Sequence, residues 1–378
     1  MTRHIPAIAR RLAAVAVAVA VASAATTALA ACSAPSSPSS PSSPSSSSSP
    51  SSPSSPARAA NQAPASAPSP PGPQPTTTPA AAQNGILPAT GYPGAAALAS
   101  SAAASVPAET VLPPAGQAHA DMPQYWLDNC LDATNAATEK VCVFGDTKNP
   151  VLTVALVGGS TAGNWFPALE QIALQRHWKL VTDLHGTCEW TDAMLVQAET
   201  GDQYTACYAW GHAALKDLET TIKPDVVIAG GYPEDGTVGD PTPGSAASIA
   251  TIATGEATYW TDLENHGIPV VAMRETPVPD RSLAQCVAEY GRTSGNCEVP
   301  AAKAIIADSP NVLAAKDTGG EVPVIDMNKF ICGPTDCAPV VGNVLVYFDG
   351  RHLTASYSRS LARYLEPRLL AAAPALAR

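Results

Sequence analysis

The sequence predicts an α/β domain built on a five-stranded parallel sheet with helices on both faces. Two observations carry this prediction. Five apolar runs rich in Val and Ile recur: "VLTVALVG" (151–158), "WKLVTDLH" (178–185), "PDVVIAGG" (224–231), "IPVVAMRE" (268–275) and "EVPVIDM" (321–327). They are nearly continuous rather than alternating, as strands covered on both faces are. Helical stretches separate them, and a repeated strand–helix–strand order implies parallel strands joined by right-handed crossovers.

The N-terminus lies outside this domain. Arg3, Arg10 and Arg11 precede an apolar run from Leu12 to Ala25, too short and Ala-rich for a membrane span, so it reads as an export signal. The run ends in "LAAC", Leu29 to Cys32, which resembles the lipobox of bacterial lipoproteins. That resemblance implies a signal peptide over residues 1–31, lipid on Cys32 and anchoring to the outer face of the cytoplasmic membrane. The alternative is cleavage after the small residues Ala28 to Ala30, which releases a secreted protein. Either route places the mature chain outside the cytoplasm.

Loss of residues 1–31 removes three Arg and no acid, turning a net charge of −11 into −14. Such a balance argues against a nucleic-acid partner. No block of Lys or Arg offers a polybasic membrane patch, so the lipid on Cys32 is the expected membrane attachment. From residue 32 to 118 the chain is dominated by Ser, Pro, Ala and Thr, beginning "SAPSSPSSPSSPSSSSSP" after the cysteine. That composition lacks the apolar surface to offset its ordering entropy and is expected to form a disordered tether. The folded domain is then expected over residues 119–378.

Eight of the nine cysteines lie in that domain as neighbouring pairs: Cys130 and Cys142, Cys188 and Cys207, Cys286 and Cys297, Cys332 and Cys337. In an exported chain, sequential bridging is the leading reading, and each bridge would stabilise by restricting the unfolded state. Zinc is the competitor, but no pair has CxxC spacing and no His lies near two Cys, so no metal and no cofactor are expected.

Within the domain, "GNWFPALEQIALQRH" places Trp165, Leu169, Ile172 and Ala173 at helical spacing, which predicts the first crossover helix. In parallel α/β sheets, ligands bind at the carboxyl ends of the strands. The first run ends in "GGSTAGNW", presenting Ser160 on a Gly-rich strand-to-helix turn. A phosphate cradle would use the same turn, but the Walker lysine is absent. Near the C-terminus, "VLVYFDGRHLTASY" (344–357) ends an apolar run in a loop with Asp349, Arg351 and His352, and a helix is expected from Thr354. A base and the carboxylate that orients it need this proximity. Both segments are expected to end strands lying side by side in one sheet. Arg351 stands in the same loop, either against substrate or as a solvated charge. His185 is either a cleft residue or a hydrogen-bonded loop histidine.

A Ser after the first strand with Asp-x-x-His before the last helix resembles the SGNH (GDSL-type) hydrolase superfamily. More narrowly, the chain resembles the SGNH domain found fused to membrane acyltransferases that O-acylate cell-surface glycans. That subgroup runs Gly-Asp-Ser-His, then a Trp five residues after the Ser, then an aromatic-Pro-Ala-Leu helix; here the stretch is "GGSTAGNWFPAL", with Trp165 at the matching place. "GTCEW", "CYAW" ahead of "PDVVIAGG", and "CGPTDCAPVVGNVLVYFDGRHLTASYSRSLA" continue the likeness. The resemblance implies a flavodoxin-like α/β/α sandwich, a Ser160–His352–Asp349 triad, and an esterase or acyltransferase. Acylated carbohydrate or cell-wall glycan is the implied partner, with a separate membrane acyltransferase as a second.

Departures accompany the likeness. The family's Asp before the Ser is Gly159, the His after it is Thr161, and the signature Asn falls near Tyr232. Thr161, Tyr232 and Arg351 are therefore expected to line the cleft. The oxyanion hole would rest on backbone donors, the N–H groups of Ser160 and Gly186, helped by the helix dipole. A catalytically silent module that binds glycan or a partner is the competing reading.

Overall fold

The computed structural model describes residues 90–99, 110–232, 235–293 and 295–378. The signal peptide, the lipid site Cys32 and most of the Ser/Pro-rich tract lie outside the described residues. The central sheet has six strands: β1 (Cys142–Gly145), β2 (Leu152–Gly159), β3 (Trp178–His185), β4 (Val226–Gly230), β5 (Val270–Met273) and β6 (Val324–Ile325). Their order is β1-β3-β2-β4-β5-β6. The five expected strands are parallel. The sixth, β1, was not anticipated; it adds an antiparallel edge to β3, with Cys142 opposite Thr182.

Alternate residues of β2 explain why the sheet is covered on both sides. Val154 and Leu156 enter one core, while Ala155 and Val157 enter the other. On the first face, α1 (Phe166–Arg176) supplies Phe166, Leu169 and Ile172, and the C-terminal helix supplies Leu361, Leu365 and Leu369. On the second face lie α2 (Thr205–Asp217), α3 (Ala246–Asn265) and a helix over Pro310–Asp317, with Trp210, Ile252 and Ala314 in the core. Helix α1 opens with Pro167 in its first turn, where no amide donor is needed. It stops at His177, which adopts the left-handed conformation at φ 55°.

The four expected cysteine pairs are bonded: Cys130–Cys142, Cys188–Cys207, Cys286–Cys297 and Cys332–Cys337. The first pins the edge strand β1. Trp190 and Trp210 share the second core with Cys188 and Cys207.

Two expectations about boundaries need correction. Residues 90–99 and 110–118 pack on the domain rather than belonging to the tether. Ala95 and Leu112 are fully buried, Leu112 bridges Val344 in parallel, and Asn343 Nδ2 donates to the Gly91 carbonyl at 2.7 Å. Small side chains suffice here because a snug fit, not bulk, buries them: a Cβ on Gly94 would meet Ser360 Oγ at 2.5 Å. Second, the run before Asp349 is not a strand of the central sheet. Val344–Leu345 pair with Val340–Val341 and, at Val344, with Leu112, and the backbone then doubles back, with Phe348 N–H on the His352 carbonyl at 2.9 Å and Thr354 N–H on Val346 at 2.9 Å. Continuous apolarity reported burial correctly; pairing with the sheet did not follow from it. Thr354 then caps α4 (Ala355–Ala372), accepting the Tyr357 N–H at 3.1 Å and donating to the Leu345 carbonyl at 2.6 Å.

Candidate active site

The chain runs from β2 outward to β3 and returns to β4 on the other side of β2, so the strand order reverses at β2. A reversal of this kind opens a crevice at the carboxyl ends of the strands. Ser160 is the first residue beyond β2 and stands at that crevice. Close backbone approach shapes its turn. Gly158 has φ 144°, and a Cβ there would lie 2.1 Å from the Gly230 carbonyl of the neighbouring strand.

Ser160 Oγ lies 3.0 Å from His352 Nε2, and His352 Nδ1 lies 2.7 Å from Asp349 Oδ2. With Nδ1–H donating to the carboxylate, Nε2 is left to accept the serine hydroxyl. The other Asp349 oxygen accepts the backbone N–H groups of Arg351 at 2.8 Å and His352 at 2.7 Å. Burial alone would raise the Asp349 carboxyl. The His352 hydrogen bond and charge, with the two backbone donors, outweigh burial and hold it below its ordinary range. The imidazole is itself held: Phe348 stacks on it at 5.6 Å, and Trp126 meets it edge-on at 5.1 Å. These three residue types in this order can perform nucleophilic acyl chemistry.

Asn164 ties the two halves of this arrangement together. It is buried in the turn after Ser160, accepts the Leu353 N–H at 2.9 Å, and donates to the Arg351 carbonyl at 3.3 Å and to Thr276 Oγ1 at 2.9 Å. Sequence reasoning missed it. The available signal was a polar residue directly before Trp165, in the short turn that leads from Ser160 into α1. Tyr125, whose hydroxyl donates to the Ser160 carbonyl at 3.3 Å, and Trp126 were also missed, because they come from a segment distant in sequence.

A cleft of about 540 Å³ opens over Ser160 and His352, and Tyr232, Thr161 and Arg351 are among the residues that line it. The Arg351 guanidinium lies 4.7 Å above the Tyr232 ring, so the two form one wall. The Thr161 hydroxyl is turned away and donates to the Gly231 carbonyl at 3.1 Å. His185 is fully buried, with its ring nitrogens 2.8 Å and 2.9 Å from the carbonyls of Gly186 and Ala136, which is the loop-histidine reading.

Gly186 departs from its expected role. Its N–H donates to the Asp132 carbonyl at 2.9 Å, so it is not free to receive an oxyanion. Asp132 is held there because its segment is bridged to His185 and its own N–H donates to the Leu184 carbonyl at 2.8 Å. Of the two expected donors, the Ser160 N–H is the one left. The structure also accounts for Gly159: a Cβ there would lie 2.6 Å from the Cys188 carbonyl, so the Asp found in the resembled subgroup cannot be placed without moving backbone.

Residues 129–367 match the family described as the SGNH domain (fused to AT3 domains). Solved structures that the chain is similar to include the periplasmic domain of a lipopolysaccharide acetyltransferase of Salmonella ser. Paratyphi A. It is 12% identical, with 60% of this chain and 86% of that one covered and a TM-score of 0.45. An acetyl xylan esterase is 11% identical, with 57% of this chain and 98% of that one covered and a TM-score of 0.29. No curated protein sequence matches. The matched segment spans β1 to α4, the whole sheet and every residue of the candidate triad, and the chain belongs to the SGNH domain family.

Proposed function

We propose that this chain is an extracytoplasmic, serine-dependent O-acyl esterase or O-acyltransferase that acts on cell-envelope carbohydrate through an acyl-enzyme. The observation that carries this reading is the continuous hydrogen-bonded path from Ser160 through His352 to Asp349, opening into one cleft. Ser160 Oγ attacks the ester carbonyl while His352 Nε2 takes its proton, and ionised Asp349 steadies the imidazolium. The oxyanion forms against the Ser160 N–H. Collapse breaks the ester C–O bond, the leaving alcohol takes the proton from His352, and the acyl group stays on Ser160. Water or a sugar hydroxyl, deprotonated by His352, then removes it, giving hydrolysis or transfer.

Carbohydrate is favoured because the cleft offers the hydroxyl of Thr187, the amide of Gln197, the carboxylate of Glu199 and the Tyr232–Arg351 wall, rather than a long apolar trough. The export signal and the four disulfides support an extracytoplasmic location. No helix among the described residues is long and apolar enough to cross a membrane. Lipid on Cys32 would supply the anchor, and a separate membrane acyltransferase would supply or receive acyl groups.

Acetate release from an acetylated glycan tests this reading. Wild type should turn over, whereas Ser160→Ala and His352→Ala should each lose nearly all activity without an additive double effect, because a triad acts as a unit. The engaged Gly186 N–H favours a second reading, a silent SGNH module that binds glycan or a partner. Glycan binding by wild type without turnover or acyl-enzyme formation would establish that one instead.

A further inference from the structure

Behind Tyr232 lies a set of buried acids that the proposed chemistry does not use. Glu189 follows Cys188 on the β3 side, Glu256 stands midway along α3, and Glu275 follows β5; all three side chains are buried. Glu189 Oε2 accepts the N–H of Tyr232, and its Oε1 accepts the N–H of Trp190 at 3.3 Å. Glu256 stands within hydrogen-bonding reach of the Glu189 carboxyl, and its buried Oε2 has no other partner among the described residues. The fit around them is tight: a Cβ on Gly231 would lie 2.5 Å from Glu189 Oε1 and 2.7 Å from Asn311 Oδ1.

Among the described residues, no basic side chain forms an ion pair with these three carboxyls. Asp235 and Glu275 add negative charge around Glu189, and Glu275 does so around Glu256. Arg274, next to Glu275, turns its guanidinium to Asp326 at 3.0 Å and to the Ile306 carbonyl at 2.7 Å. A shared metal ion is not the answer either. Among the described residues, the three acidic or imidazole side chains close enough for one ion are Glu219, Asp262 and His266, not these. Two ionised carboxylates cannot hydrogen-bond each other, since both only accept, so one member of the Glu189–Glu256 pair must carry a proton. Burial, reinforced by the neighbouring carboxylates, raises both groups well above the ordinary range.

We propose that Glu189 and Glu256 are positioning residues: a carboxylic acid–carboxylate pair that shares one proton and holds the Gly231–Tyr232 segment as the cleft wall opposite Ser160. This role rests on the proposed acyl chemistry. Gly231 in turn accepts the Thr161 hydroxyl, so the pair also braces the turn that carries Ser160. Loss of the shared proton at alkaline pH sets two like charges against each other in the core and releases the Tyr232 N–H. The rate should therefore fall as the pair ionises.

The test uses the full mature chain, with 4-nitrophenyl acetate as the probe and two variants. Glu189→Gln retains only one acceptor for the two N–H groups, so kcat should drop on the order of 10- to 100-fold, the cost of a small misplacement. Glu256→Gln carries a permanent donor to Glu189, so the alkaline fall in kcat/KM should move to higher pH. An alkaline limb identical to that of wild type in Glu256→Gln, or wild-type kcat in folded Glu189→Gln, overturns the proposal. Infrared spectroscopy supplies an arm independent of catalysis. At about pH 8 the wild type should show a protonated-carboxyl C=O band, part of which disappears in each variant as the shared proton is lost. An unchanged band in both variants rejects the pair. If wild type proves inactive while the band behaves as expected, the acyl chemistry fails and the proton-sharing pair stands.

Discussion

Replacing Asn164 with Ala should separate the nucleophile's turn from the loop that carries the base, and the structure sets the size of the effect. The substitution deletes three hydrogen bonds, to Leu353 N–H, the Arg351 carbonyl and Thr276 Oγ1. At about 1 kcal/mol net for each, the direct loss is about 3 kcal/mol. The Leu353 N–H is left buried without its acceptor, which adds about 1 kcal/mol or more. A total near 4 kcal/mol should lower the melting temperature by about 10 °C in a domain of this size. The catalytic effect follows from geometry. His352 sits next to Leu353 and reaches Ser160 over 3.0 Å. Slippage of about 1 Å in that loop should cost roughly 100-fold in kcat. Thr276→Val provides the control, because it removes the acceptor farthest from His352 and leaves both bonds to the 351–353 backbone. It should cost about 1 kcal/mol and little rate. Thermal melts and ester turnover measure both quantities. Wild-type kcat in Asn164→Ala, or equal rate losses in the two variants, would refute the claim that Asn164 couples the turn to the loop.

Two further predictions concern the site's departures and the buried acids. Gly159→Asp, which restores the residue of the resembled subgroup, should lower both activity and melting temperature, because its Cβ would lie 2.6 Å from the Cys188 carbonyl; a gain in kcat would show that the backbone there yields easily. Asp183 is raised to about 7 by burial, which outweighs its hydrogen bond from Trp210 Nε1 at 2.9 Å. Its folded value exceeds its unfolded one, so its contribution, on the order of 4 kcal/mol, is fully present below about pH 4 and is lost as pH rises from there to about 7. Asp183→Asn should therefore flatten the fall in melting temperature between about pH 4 and pH 7, and an unchanged slope would assign that fall to other groups.

The parts of the fold legible in the sequence were those where one physical signal dominates. Strands β2 to β6 announced themselves because burial on both faces makes them continuously apolar, and α1 did so through the spacing of Leu169, Ile172 and Ala173. Strand β1 was not legible. It is four residues long, half-exposed at the sheet edge and held by a disulfide to Cys130. The run 344–348 misled because apolarity records burial and not pairing, and here the segment pairs with its own loop and with Leu112. At the site, the residue types that bear chemistry could be named in advance, and the structure brings Ser160, His352 and Asp349 within hydrogen-bonding distance of one another. The availability of a backbone donor could not be named, since Gly186 lost its N–H to Asp132, a residue more than fifty positions earlier in the chain. Glu189, Glu256 and Glu275 were invisible for a related reason. A glutamate in a helix or loop reads as solvated until the fold shows that it is buried, as all three are.

The central claim is that Ser160 is the nucleophile, activated by His352. Incubating the mature chain with a fluorophosphonate probe, followed by peptide mass mapping, tests it most directly. The account predicts one phosphonylated residue, Ser160, with labelling abolished in Ser160→Ala and slowed strongly in His352→Ala. A folded wild-type chain that takes up no label, or a label that persists in Ser160→Ala, would contradict it.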